Sequence, residues 1–552
     1  MTRRIISLLL CVVLIAGFCA CGGKGNLQEL IPDAPTIELS AADFVDGSHQ
    51  RRDEYLAAFK TKGMALDGVS INFAADVFDE VSSPKSAETI VRIYYNMKAL
   101  NPETASDVTV YVARKTTTDS PVLLGNRLYI SCGDVESGAF RPYLAGAVYG
   151  IKEQWKRMGL ALLANGEKGE TVLASELESY IQEREGTGIL SLHPCYFVEE
   201  FTDEPTRKLA MECSRALSEF IICEYGFEAF VSDSGGNFRA RWLESMGLDY
   251  DVSFLDSGAA LLLDSMEFSE LGNVDMLLAA EDFRLEVNRV DWLADAETAY
   301  WCLLDFSEQL LGFYTRLKDE APEYYAWLKE DSSKAVVKFR DRNYPTGSHA
   351  SILKAEAIIT RGEDILHELC HALKRRSMND ENRWLCEGLT TYLTAPFIPY
   401  SAAPYWVDMV ALDTAADGAT EMERYFLDLT EYWFEKVNGC DISAVYNMEQ
   451  PIYLIQQAMG YAAFFNPEIE SLRAATKSIN EQFEIKKYYP ANELSYFESM
   501  LFVDWLVEKY GLDTVIFAEM DADCYLELFP NAAAFEAEFA EFWKDCIVPL
   551  AE

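Results

Sequence analysis

Two short stretches carry the residues best suited to chemistry: His367-Glu368-Leu369-Cys370-His371, and downstream Trp384-Leu385-Cys386-Glu387-Gly388. On a helix, side chains four residues apart leave the same face about one turn apart. His367 and His371 would therefore aim two imidazoles at one point, and two such nitrogens bind one zinc ion at roughly 2.0–2.1 Å each. Glu368 is turned off the ligand face, where it is placed to take a proton from a metal-activated water without binding the metal. Glu387 offers a carboxylate from a second helix. Two histidines and one glutamate leave the fourth zinc position open, which is the arrangement of catalytic rather than structural sites. The chain has only five histidines, the others being His49, His193 and His349, so a chance His-Glu-x-x-His is rare.

Taken together, HELCH and the later WLCEGLTTYL resemble the gluzincin metallopeptidases, the thermolysin-like and aminopeptidase-like group. That family carries H-E-x-x-H on one helix and a ligand Glu on the next. The resemblance covers the last half of the chain. It implies His367, His371 and Glu387 as zinc ligands, Glu368 as general base, and a peptide or protein as substrate. The family's tetrahedral oxyanion needs a further donor, commonly Tyr or His. Tyr496, in Tyr496-Phe497-Glu498-Ser499, matches the family's Y-x-x-S, with Tyr392 as second choice. No G-x-M-E-N-type exopeptidase motif occurs, so the substrate and the choice between endo- and exopeptidase stay open. Ligand imidazoles also ordinarily bond through their second nitrogen to a supporting group. Thr391 and Asp364 are the candidates for that role.

These side chains need two adjacent helices on a rigid support. Thr360 with Glu363 suits a capping box opening the first helix, and the residues before it read as a strand. Cys370 and Cys386 sit inside the motifs beside better-placed ligands and read as small packing residues. The same unit is read twice along the chain. Phe220 to Tyr225-Gly226-Phe227 matches Trp505 to Tyr510-Gly511-Leu512, each a helix stopped at glycine. Trp155-Lys156-Arg157-Met158-Gly159-Leu160 parallels Trp384 to Leu389, and Tyr143 to Tyr149 stands near the place of Ile365 to His371. Ser86-Ala-Glu-Thr and Asp295-Ala-Glu-Thr are each read as opening a helix. In the first copy Ala145, Gly146, Tyr149 and Met158 replace the two histidines and two glutamates, so it can neither bind zinc nor move a proton. His193 reads as a loop histidine. The expected fold is α+β and helix-rich: two tandem gluzincin-like units, each a small sheet plus a helical lobe, the first degenerate. The second has extra sequence between roughly 395 and 480.

The N-terminus reads as an export signal. Arg3 and Arg4 precede an apolar run, Ile5 to Phe18, better suited to a signal peptide than to a membrane span. Phe18-Cys19-Ala20-Cys21-Gly22-Gly23 resembles a bacterial lipoprotein box, with lipidation at Cys21, or at Cys19 as the weaker alternative. An ordinary cleaved signal on a secreted protein is the other reading. The net charge of −43 argues against nucleic acid and against electrostatic binding to anionic lipid. No C-x-x-C pair occurs, which excludes a zinc ribbon or thioredoxin-type motif. The organisation read from these features is a lipoprotein signal peptide over 1–21 and a tether with a small N-terminal region over 22–85. A degenerate peptidase-like repeat over 86–290 and a zinc metallopeptidase-like domain over 291–552 follow. The expected activity is hydrolysis of peptide bonds by a membrane-anchored enzyme on the outer face of a bacterial cell membrane. A non-catalytic surface lipoprotein that binds peptide or a protein partner is the alternative, and a zinc hydrolase of non-peptide amides a third.

Overall fold

A computed structural model of the protein describes residues 37–49, 59–114, 121–165, 174–184, 186–232, 237–271, 273–330, 334–351, 354–374, 383–397 and 491–542. Cys19 and Cys21 lie outside them, as does nearly all of the extra sequence between 395 and 480. The chain divides into two compact units, Met1–Ala279 with Leu293–Trp301 and Ala280–Trp292 with Cys302–Glu552. The fold is α+β and helix-rich, with two mixed six-stranded sheets.

The first sheet is built from β1 (Val45–His49), β2 (Phe59–Leu66), β3 (Val69–Ala74), β4 (Val108–Ala113), β5 (Val122–Leu124) and β6 (Arg127–Ser131). Its order is β1-β2-β3-β4-β6-β5. Strands β1, β2 and β3 pair antiparallel, β3, β4 and β6 parallel, and β5 closes the edge antiparallel to β6. Val69, Ile71 and Phe73 in β3 are buried, as are Val108, Val110 and Val112 in β4, which is the period-two signature of a strand with one face in a core. Ile71 sits opposite Val110, and Val110 opposite Leu128. Helix α1 (Ser82–Leu100) makes the crossover from β3 to β4 and buries Ile90, Val91, Tyr94 and Met97. It begins at Ser82, so Ser86 stands in its second turn rather than opening it. Strands β1 to β3, which fall within the region read as 22–85, are part of this sheet.

Helices α2 (Phe140–Tyr149), α3 (Gln154–Ala164) and α4 (Glu204–Tyr225) follow the first sheet. Helices α3 and α4 cross closely at Gly159, where an added Cβ would lie 2.1 Å from Ser218 Oγ and 2.5 Å from Ser214 O. The Ser214 hydroxyl donates to the Trp155 carbonyl across that crossing. Helix α4 ends at Gly226, whose φ of 89° and ψ of 163° lie in a region essentially restricted to glycine.

The second sheet repeats the plan. Strands β7 (Glu267–Leu271) and β8 (Val274–Ala279) form an antiparallel hairpin. Strand β9 (Phe283–Val287) is followed by the crossover helix α5 (Ala296–Glu320) and by β10 (Ala335–Phe339). Asp295 caps α5 by accepting from the Thr298 N–H at 2.8 Å, as its motif suggested. Strand β10 pairs parallel with β9 and with β12 (Glu356–Ile359), and β11 (His349–Ser351) lies antiparallel on β12. Then come α6 (Ile365–Lys374), α7 (Arg383–Thr394), α8 (Ala491–Tyr510) and α9 (Leu512–Met520). The same order of strands, crossover helix, edge strand and paired helices thus occurs in both halves of the chain. Gly511 after α8 has φ 85° and ψ 151°, the conformation of Gly226 after α4.

Candidate metal centre

Helix α6 lies on β10, β11 and β12, with Ile365, Leu366, Leu369, Ala372 and Leu373 fully buried. That apolar face turns His367 and His371 away from the sheet. The capping box expected from Thr360 and Glu363 is absent. Thr360 is held by Ser348, whose Oγ lies 3.0 Å from Thr360 Oγ1. The helix is entered through the 3-10 turn Gly362–Asp364. Helix α7 packs on α8 and brings Leu385, Leu389 and Leu393 into the core. The opposite side of its first turns carries Glu387.

The two imidazoles and the carboxylate meet. His371 Nε2 lies 3.0 Å from Glu387 Oε2, and His367 Nε2 lies 3.7 Å from the same oxygen. The imidazole rings are 4.9 Å apart and nearly perpendicular. Ligand atoms from these three residues all lie within 4.8 Å of one another, and no other His/Cys/Asp/Glu group among the described residues converges in this way. Two zinc arms of roughly 2.0–2.2 Å at a tetrahedral angle place their ends about 3.4 Å apart. The distances of 3.0 and 3.7 Å bracket that value, and two nitrogens with one carboxylate oxygen form a zinc-type donor set. The residues present therefore fit the metal.

Electrostatics favour the ligand-competent forms of His371 and Glu387, whereas burial of His367 is outweighed by Glu387, Glu368 and Asp364, which raise it above its ordinary value. Burial pulls His371 down to about 4, leaving its imidazole neutral. Burial alone would raise Glu387, but His371 and His367 beside it hold its carboxylate well below the usual range. Glu368, 8% exposed, is pushed up to about 8 by burial, with His367 opposing and Glu387 reinforcing the shift. A carboxyl beside the donor set that holds and releases a proton near neutrality has the property a general base requires.

The remaining candidates fare differently. Tyr496 stands in α8, but its side chain lies outside the described residues. Tyr392 is 6% exposed, with the Arg316 guanidinium stacked 4.3 Å from its ring centre. Neither candidate for supporting an imidazole takes that role. Asp364 accepts from Arg361 Nε at 3.2 Å, and the buried Thr391 hydroxyl has no hydrogen bond among the described residues. The neighbouring Thr390 instead brings its Oγ1 to 3.1 Å from His371 Nδ1. It lies three residues beyond Glu387 and so shares its helix face, a spacing visible in the sequence. Cys370 is buried, and Cys386 Sγ lies 3.4 Å from His371 Nδ1, the nitrogen facing away from Glu387. His193 is buried in the first unit, where its Nδ1 accepts from the Cys195 N–H at 3.3 Å. Ala145, Gly146, Tyr149 and Met158 fall on α2 and α3 and offer no metal-ligating set.

No family model matches the chain, and no curated protein or solved structure matches it significantly.

Proposed function

We propose that the second unit is a zinc-dependent hydrolase of the gluzincin type that cleaves peptide bonds. We further propose that lipidation of Cys21 holds the protein at the outer face of a bacterial cell membrane. The observation that carries the reading is the meeting of His367, His371 and Glu387 donor atoms, with Glu368 on the same helix. When bound, zinc would supply a Lewis acid for the scissile carbonyl and a water acidified toward neutrality. The chain's own groups do the rest. His367, His371 and Glu387 hold the ion and leave one position free. Glu368 takes the attacking water's proton at a carboxylate oxygen and returns it to the leaving nitrogen. Its partial burial keeps that carboxyl poorly solvated and its proton affinity high. Tyr496 is proposed as the donor to the oxyanion, on the family pattern alone.

Metal content by mass spectrometry and peptide-library cleavage test the proposal together. Wild-type protein is expected to carry one zinc and to cleave. His371→Ala is expected to lose the metal, and Glu368→Gln to keep it while losing at least about a hundredfold in rate. A zinc-loaded wild type that cleaves nothing in a broad library would replace the hydrolase with the peptide-binding lipoprotein.

A further inference from the structure

We propose that Thr390 is the positioning residue of the metal centre: its hydroxyl, held by a buried Lys374–Glu519 pair, takes the Nδ1–H of His371 and so turns the Nε2 lone pair toward Glu387. The inference rests on the metal-centre reading and deepens it by one layer.

A threonine hydroxyl has one hydrogen to donate and two lone pairs to accept with. Thr390 Oγ1 donates its hydrogen to the Cys386 carbonyl at 2.8 Å, one helical turn back. One lone pair receives Lys374 Nζ at 2.8 Å, and an ammonium only donates. The remaining lone pair faces His371 Nδ1 at 3.1 Å. Nδ1 is then placed to donate its hydrogen to Thr390, which in the neutral imidazole leaves the Nε2 lone pair on the side of Glu387 Oε2, 3.0 Å away. A hydrogen on Nε2 or a metal ion between the two atoms completes such a contact, and zinc would take that place when bound.

Lys374 is what makes this arrangement unambiguous. It is fully buried and donates to Thr390 Oγ1 at 2.8 Å and to the Cys386 carbonyl at 3.2 Å, with Glu519 Oε1 as its ion-pair partner at 3.6 Å. Burial would strip its charge, but Glu519 above all keeps the ammonium protonated. The Cys386 thiol lies against the same Glu519 carboxylate. Lys374 stands three residues past His371, and Thr390 three past Glu387, so both sit one turn beyond a ligand. Continuing the Trp155–Leu160 parallel one step sets Ala161 where Thr390 stands. The half of the chain that lacks the ligands lacks this hydroxyl as well.

The test compares full-length wild type, Thr390→Val and Thr390→Ser by zinc competition against a chromophoric chelator. The valine variant is expected to bind zinc about 10–100-fold more weakly. The serine variant, which restores the hydroxyl, is expected to return to within about threefold of wild type. Equal affinities for valine and wild type, or serine no better than valine, would overturn the role. A second measurement needs no variant. Nitrogen-15 histidine spectra of the zinc-loaded wild type should show the His371 Nδ1-bound proton and the metal on Nε2. Zinc on Nδ1 would sink the proposal even if Thr390→Val fails to fold. Wild type that takes up no zinc at all would instead overturn the metal-centre reading, and the positioning role with it.

Discussion

At the scale of single residues, the centre combines groups that are costly to bury with partners that make burial tolerable. Glu387 is sustained by two imidazoles, and Lys374 by Thr390, Cys386 and Glu519. Such pairs are strongly asymmetric in their energetics. Removing one member leaves an uncompensated buried charge, which costs more than the intact pair ever contributed. Lys374 and Glu519 are 0% and 1% exposed at their side chains. Glu519→Ala is therefore expected to destabilise the protein by about 3–5 kcal/mol. Denaturant unfolding checks this, and the double change with Lys374→Met should recover part of the loss. The shared helix face of His367 and His371 was legible from spacing, because a four-residue step is about one turn, whereas the approach of Glu387 from a second helix needed the fold. Thr390, three residues past Glu387, lies within reach of the same spacing logic, as does its neighbour Thr391. One residue is about 100° of rotation on a helix, enough to move a hydroxyl off the imidazole.

At the scale of elements, the helix ends show which local signals persist. Gly226 and Gly511 each stop a long helix, as the two matched segments suggested, and both take the same positive-φ conformation. Thr360 with Glu363 had the sequence of a capping box, yet Ser348 from the β11 side claims the Thr360 hydroxyl. A tertiary partner displaced a local one of similar strength. Asp203 does cap α4, accepting from the Thr206 N–H at 2.7 Å. Those bonds to Thr206 hold its carboxyl below the usual range. A depressed folded-state pKa means the stabilisation is present above the unfolded value, about 3.9, and is lost as pH falls through the folded value. Asp203→Ala should cost about 1 kcal/mol at neutral pH and make acid unfolding less steep below about pH 4. Thermal melts across that range would show it, and an unchanged acid limb would refute the cap's contribution.

At the scale of the whole molecule, the two halves share a topology while, among the described residues, only one carries a convergent His/His/Glu set. Both run through a hairpin, a parallel βαβ crossover, an antiparallel edge strand and paired helices closed by a glycine. Zinc binding should therefore be felt in one unit alone. Hydrogen exchange read by mass spectrometry, with zinc and with chelator, is expected to slow in α6 and α7 on zinc addition. Helices α2 and α3 should exchange at the same rate in both conditions. Equal slowing in both pairs would mean the first unit also engages the metal.

The amino-acid sequence by itself determined the shared helix face of His367 and His371, the helix-rich α+β character and the glycine stops. Each of these follows from contacts within one or two turns or from alternation along one strand. Only the tertiary structure decided that Val45–His49, Phe59–Leu66 and Val69–Ala74 join the first sheet, that Ser348 takes Thr360, and that Glu519 reaches Lys374. Those outcomes depend on which distant segments share a buried space, where an unpaired polar group is too costly to leave and the nearest partner in three dimensions prevails.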